Sequence, residues 1–167
     1  MSSKTRGAVA CAAPLALVAG LLAACGPDDG PVQIDSPSLS AGVQSTCRAF
    51  LDDVPRTLAD EQSRPVSPDG ALGAAWGDPA ITLTCGVSVP DDFDKFAFCQ
   101  ETNGVGWFIP DTQLEDESSD VTFTALGYRP IVQVHLPSTY RPDGAAAVPA
   151  QLAAAVKANL KLVRPCL

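Results

Sequence analysis

Basic charge is scarce in this chain. Over 167 residues, 11 Lys and Arg stand against 19 Asp and Glu, a formal charge of −8. A surface this acidic lacks the field that gathers phosphate backbones, so nucleic acid is not an expected partner. There is a single His, which removes His-rich metal sites and makes any Ser-His-Asp hydrolase depend on one residue. No G-x-S-x-G surrounds any Ser, so the nucleophile elbow of α/β-hydrolases is missing. No two Cys stand at C-x-x-C spacing, which argues against structural zinc. After residue 25 no apolar run is long enough to span a bilayer. The length suits one domain and not two.

What the sequence does contain begins with an address. Met1 to Gly7 carry Lys4 and Arg6 with no acid, and Ala8 to Ala24 follow without a charge. A charged n-region before an apolar h-region is the pattern of a secretory signal. Leu22-Ala23-Ala24-Cys25, followed by Gly26, reads as a bacterial lipobox. Small residues before the Cys fit a signal peptidase, and the Cys25 thiol accepts a diacylglyceryl thioether before cleavage. The expected product is a lipoprotein with residues 1–24 removed. It would be anchored to the outer face of the cytoplasmic membrane by Cys25, with palmitate as a typical acyl chain. Loss of Lys4 and Arg6 makes the mature chain more acidic still.

Six Cys are present. With Cys11 in the signal and Cys25 lipidated, Cys47, Cys85, Cys99 and Cys166 remain, an even set in an exported chain. That reads as two disulfides with three possible connectivities. The simplest joins Cys85 to Cys99 across a local loop and Cys47 to Cys166 across the domain. The second bridge would close a long loop, worth about 4–5 kcal/mol in the chain-entropy model.

Residues 25–42 read as lipidated Cys and disordered tether, because Gly26 to Gly42 is rich in Pro, Gly, Ser and Asp without apolar period. Fully stretched it would span about 60 Å. Residues 43–167 form the expected domain. Val43 to Leu58 carries a helical stripe of Val43, Cys47, Phe50, Leu51 and Val54, ending near Pro55. Ala59 to Asp78 is polar and reads mostly as loop. Ala80 to Val87 alternates as a half-buried strand. Phe96 to Gln100 and Val105 to Ile109 flank Asn103-Gly104, a type I′ hairpin pair. Leu114 to Asp120 is an acidic loop. Val121 to Leu126 and Ile131 to Leu136 form a second hairpin, and Val148 to Val163 a final helix. The expected class is α+β: an antiparallel sheet of about four or five strands covered by an N-terminal and a C-terminal helix.

Several stretches together carry a resemblance. They are Cys47 with Leu51 and Val54-Pro55, then Ala75-Trp76-Gly77-Asp78-Pro79-Ala80-Ile81 running into Leu83-Thr84-Cys85-Gly86-Val87. Asn103 to Phe108 follows, then Phe123-Thr124 with Gly127 and Arg129 before Val132-Gln133-Val134. These segments resemble the actinobacterial envelope proteins grouped as the domain of unknown function 3515 family. The chain departs where a basic residue is expected, at Thr84, and an acidic one, at Gly106. The resemblance implies an exported protein, often a lipoprotein, and transfers no catalytic residue.

Candidates for chemistry are few. His135 is the only candidate general base, and its strand parity places it on the less buried face. Asp91, Asp92 and Asp94 fail a calcium-loop pattern, because Phe96 stands where an oxygen ligand belongs. Glu115, Asp116, Glu117 and Asp120 read as a solvated charge run, so no metal and no cofactor is expected. Trp76 and Trp107 each adjoin a Gly, and with Arg129 they could build a cleft for a sugar or a peptide end. The plainer reading puts both rings in the core. Lys157, Lys161 and Arg164 form a basic stripe on the last helix, suited to its C-terminus or to anionic headgroups. The reading is a non-enzymatic envelope lipoprotein that binds an envelope protein or a cell-wall precursor. A small-ligand-binding protein is the alternative, and a His135 hydrolase the weakest.

Overall fold

The computed structural model describes residues 30–94 and 97–166. The expected signal segment and lipobox, with Cys25, lie outside them. From Gly30 the chain runs through β1 (Val32–Gln33) into helix α1 (Ala41–Asp52). Strands β2 (Thr57–Leu58), β3 (Glu61–Arg64), β4 (Val66–Ser67), β5 (Gly73–Trp76) and β6 (Ile81–Cys85) follow. The second half contains β7 (Cys99–Thr102), β8 (Val105–Phe108), the short helix α2 (Asp111–Glu115), β9 (Val121–Thr124), β10 (Tyr128–Arg129) and β11 (Val132–Leu136). A 3₁₀ segment, Ser138–Asp143, leads to helix α3 (Ala147–Asn159) and β12 (Lys161–Leu162).

The class is α+β, with a larger sheet than the sequence suggested. Its eight strands are ordered β2-β3-β5-β6-β11-β9-β8-β7 and every pairing is antiparallel. Two meanders, β2-β3-β5-β6 and β7-β8-β9-β11, meet at their last strands. Register places Ala74, Leu83, Val134 and Phe123 in one row across the sheet. Strict alternation then makes that row's face apolar. Leu83, Cys85, Val132, Val134 and Leu136 are all fully buried there, against Cys47 and Phe50 of α1 and Leu152 and Val156 of α3. The reverse face carries Thr82, His135 and Thr122 in one row and Thr84, Gln133 and Thr124 in the next. Near β7 that face is covered by a second cluster in which Cys99, Phe108, Leu126 and Ile131 meet Phe93 and Cys166.

This parity corrects the disulfide pairing. Cys85 faces the core beneath α1, whereas Cys99 pairs with Phe108 on the reverse face, so the two cannot meet. The bridges are Cys47–Cys85, which ties α1 to the middle of the sheet, and Cys99–Cys166, which ties the C-terminal tail to the edge strand. Gly106 allows that crossing: a Cβ there would sit on the Cys166 carbonyl oxygen.

Four other expectations change. Half of the stretch 59–78 is strand: β3 is the polar, half-exposed neighbour of β5, and Trp76 pairs with Ser63 and Ile81. From Gly30 onward the expected tether is instead seated on the body. β1 runs parallel to β4, Ile34 is 2% exposed, the Ser36 hydroxyl accepts the Leu72 amide at 2.7 Å, and the Gly30 carbonyl accepts from Arg64 at 2.8 Å. Helix α1 starts two residues early and ends at Asp52. Helix α3 ends at Asn159, where Leu160 turns extended and β12 pairs with β10. Lys161 and Arg164 therefore leave the helix, so the basic stripe does not form, and Lys157 donates to the Asn103 carbonyl at 2.7 Å.

The Asn103-Gly104 turn forms as read. Both residues hold positive φ, 51° and 81°, as a type I′ hairpin requires.

Candidate functional site

Trp76, Trp107 and Arg129 are not brought together. Trp76 is fully buried, and its indole N–H donates to the Pro55 carbonyl at 2.9 Å. This is the plain core role: the ring fills the space under α1 and its one polar atom is satisfied. Arg129 is exposed at the end of β10, where its Nη1 donates to the carbonyls of Leu126 and Tyr128 at 2.8 and 2.7 Å. With Lys161 it borders an open groove of about 630 Å³ between Leu39 and Val43 on one side and Gly86, Val87 and Ile131 on the other.

Trp107 is the exception. It is 1% exposed, yet its Nε1 has no hydrogen-bond acceptor among the described residues. A buried donor left unpaired costs roughly 1–3 kcal/mol. Trp107 lines a cavity of about 200 Å³ that shares no residue with the Arg129 groove.

The sheet explains why a cavity exists there. Strands β8 and β9 share a single paired position, Phe108 with Thr124. Beyond it the chain leaves through Ile109 into α2 and returns only at Val121, so the two strands part. Ile109, Leu114, Val121 and Phe123 wall the gap, and Ala145, Ala146 and Pro149 cover it from the start of α3. These small residues let the helix approach without filling the space. At the β7 side Gln100 faces the cavity, as the partner of Trp107 across the strands, together with Thr102.

Among the described residues Arg141 is the one charged residue in the lining. Its Nη1 donates to the carbonyls of Asp116 and Ser119 at 2.9 and 2.8 Å, pinning the acidic loop to the 3₁₀ segment. Both acceptors are neutral, and no carboxylate lies within ion-pair distance of Arg141 among the described residues. Hydrogen bonds from the Ser118 hydroxyl and amide, with the more distant Arg141 charge, hold the Asp116 carboxyl below its usual range. Sequence reading missed Arg141 and the cavity. Tyr140-Arg141-Pro142 shows no periodicity, and nothing local reports that β8 and β9 diverge.

His135 lies on the reverse face, its side chain 45% exposed, with Nε2 3.1 Å from Asp120 Oδ2. The other Asp120 oxygen accepts the Ser138 amide at 2.8 Å. Those contacts, the Ser138 amide foremost, lower the Asp120 pKa against a smaller opposing effect of burial. Asp120 thus sits between His135 and Ser138. In a hydrolase triad the imidazole takes the middle place, between carboxylate and hydroxyl. Among the described residues no three or more His, Cys, Asp or Glu side chains gather as metal ligands. Nor is any described helix long and apolar enough to cross a membrane.

No curated protein and no solved structure matches this chain. A family profile does, over residues 7–164, nearly the whole length. The chain belongs to the DUF3515 family, described as proteins of unknown function.

Proposed function

We propose that this protein is an exported cell-envelope lipoprotein, anchored through Cys25 to the outer face of the cytoplasmic membrane, whose body is a non-enzymatic binding or accessory module. The observation that carries the reading is the pair of disulfides, both inside the body. Such bridges persist in oxidising compartments, which agrees with the signal and the lipobox at residues 1–25.

The docked arm supports a specific arrangement. Gly30 is already held by Arg64, so only the residues between Cys25 and Gly30 separate lipid from body. Five residues span at most about 18 Å, so the body is held against the membrane and not on the long tether the sequence suggested. The order His135–Asp120–Ser138 disfavours only the His135 hydrolase, since the imidazole does not stand between carboxylate and hydroxyl. Envelope proteins or wall precursors within reach of the membrane are the partners this placement favours.

The test is the mass of the N-terminal peptide from the membrane fraction, with growth on a palmitate analogue. Wild type should begin at Cys25 and carry diacylglyceryl and acyl groups, and Cys25→Ala should be unlabelled and leave the membrane. A wild-type peptide beginning at Met1 and free of lipid would refute the proposal.

A further inference from the structure

We propose that the β10–β12 ribbon is a second membrane contact, which docks on anionic phospholipid headgroups through Arg129, Lys161 and Arg164 while Leu162 and Val163 enter the interface. The inference rests on the lipid anchor proposed above and deepens it, by naming the face of the body that meets the membrane.

The pairing register gathers the charge. It sets Arg129 directly opposite Lys161, and Arg164 follows three residues later. Three of the chain's 11 Lys and Arg thus share one two-stranded ribbon in a protein of net charge −8. Like charges facing each other across antiparallel strands destabilise the pair, and an anion laid over them removes that cost. All three are exposed, and none forms an ion pair among the described residues. Arg129 borders two hollows, of about 630 and 290 Å³, and among the described residues no carboxylate lines either. Its guanidinium is also held in place. Nη1 is fixed on the Leu126 and Tyr128 carbonyls, which leaves Nε and Nη2 without an acceptor among the described residues and open to a phosphate.

Apolar side chains accompany the cations. Leu162, Val163 and Val89 are 50%, 59% and 45% exposed, and the last two share the smaller hollow with Arg129 and Arg164. A soluble polyanion would use the cations and leave these side chains in water. A bilayer interface offers phosphates and apolar depth together. So small a patch falls well short of the roughly 20–30 residues a side of a stable protein interface, so it needs a surface already within reach. The anchor supplies one. Arg64 holds Gly30 beside Gly77 near the start of β6, and Gly86, just past its end, donates its amide to Ile131 at 2.7 Å. Five-residue β6 is about 17 Å long, and the link from Cys25 to Gly30 spans up to about 18 Å. Lipid and ribbon therefore reach one surface.

The experiment follows the processed full chain, ¹⁵N-labelled with its disulfides intact and held by its lipid in nanodiscs that carry a trace of gadolinium-chelate headgroup lipid. Discs of phosphatidylcholine are compared with discs containing about 30% phosphatidylglycerol. The reference is the amide of Ser138, beyond the other end of β11, whose neighbour Tyr140 is bonded to Pro79 near the anchor end. In anionic discs the Leu162 and Val163 amides should broaden at least about threefold more than Ser138, and in neutral discs that ratio should fall to about one. Each Lys or Arg near an anionic surface strengthens docking about fivefold, so the triple variant Arg129→Gln, Lys161→Gln, Arg164→Gln should show the neutral pattern in anionic discs. Salt at about 0.5 M should do the same without any substitution. The Trp76 indole resonance verifies that the variant is folded. Broadening at Ser138 that equals or exceeds the ribbon's in anionic discs would overturn the proposal. So would equal ribbon broadening in both discs. Inorganic phosphate that shifts the ribbon amides in neutral discs as far as phosphatidylglycerol does would assign the patch to a soluble anion, and overturn it too. A chain that does not load onto discs refutes the anchor and the docking with it, whereas one that loads without ribbon contact refutes the docking alone.

Discussion

Trp76 donates its indole N–H to the carbonyl of Pro55 at 2.9 Å and so links the end of β5 to the turn after α1. Trp107, equally buried one meander away, makes no such bond among the described residues. The two rings are alike in burial and differ in whether their single polar atom is used. That difference predicts unequal stability effects. Trp76→Phe loses a hydrogen bond as well as volume, whereas Trp107→Phe removes an unpaired donor. Urea unfolding should find Trp76→Phe the more destabilising by about 1 kcal/mol. Equal losses would mean that Trp107 has an acceptor in solution within the protein.

Sheet parity predicts the disulfide map. Peptides from a non-reducing digest should contain Cys47 joined to Cys85 and Cys99 joined to Cys166. The bridged residues are 38 and 67 apart in sequence, so each bridge contributes about 4 kcal/mol in the chain-entropy model. Replacing Cys99 and Cys166 by Ala should lower stability by up to that amount and expose the tail after Leu160 to protease. A Cys85–Cys99 peptide would contradict the sheet register itself.

Two glycines should respond oppositely to Ala. At Gly106 the new methyl would collide with the Cys166 carbonyl, and either tail or strand must move. Thermal unfolding should show a loss of about 1–3 kcal/mol. Gly42, in the first turn of α1, has nothing within 4 Å of the added Cβ. Gly42→Ala should gain a few tenths to about 1 kcal/mol from helix propensity.

Asp120 supplies a pH dependence. Its folded pKa is lowered, chiefly by the Ser138 amide and less by His135. A depressed carboxyl contributes stability that is complete above its unfolded pKa and disappears as pH falls through the folded value. Asp120→Asn should therefore flatten the acid limb of the stability curve below about pH 4. Because the group is largely exposed, the difference should stay below about 1 kcal/mol. A ¹³C titration placing the Asp120 midpoint above that of an ordinary Asp would contradict the geometry.

The parts of the fold legible in the sequence are those where one face is buried. Ile81, Leu83 and Cys85 alternate with threonines, and Val132, Val134 and Leu136 alternate with Gln133 and His135, so β6 and β11 announce themselves. Asn103-Gly104 fixes the β7–β8 turn through local chemistry alone. Strand β3, Glu-Gln-Ser-Arg, is polar because it lies near the sheet's edge, and no periodicity separates it from a loop. Leu160 and Val163 extend the helical stripe of α3, yet Val163 donates its amide to Gly127 as the tail pairs with β10. Tertiary pairing overrode the local period. The candidate site was only half legible: Trp107 stood out as a Trp beside Gly, but its relation to Arg141 depends on where β8 and β9 part.

The central claim is that a rigid body held close to the membrane binds a partner there. Its most direct test is in-cell photo-cross-linking of the processed full chain, with the cross-linker placed at Leu114 on the cavity rim or at Phe98, which is 82% exposed. One dominant envelope component, captured several-fold less from Cys25→Ala, is the predicted result. Nothing reproducible at either position, or equal capture without the anchor, would contradict it.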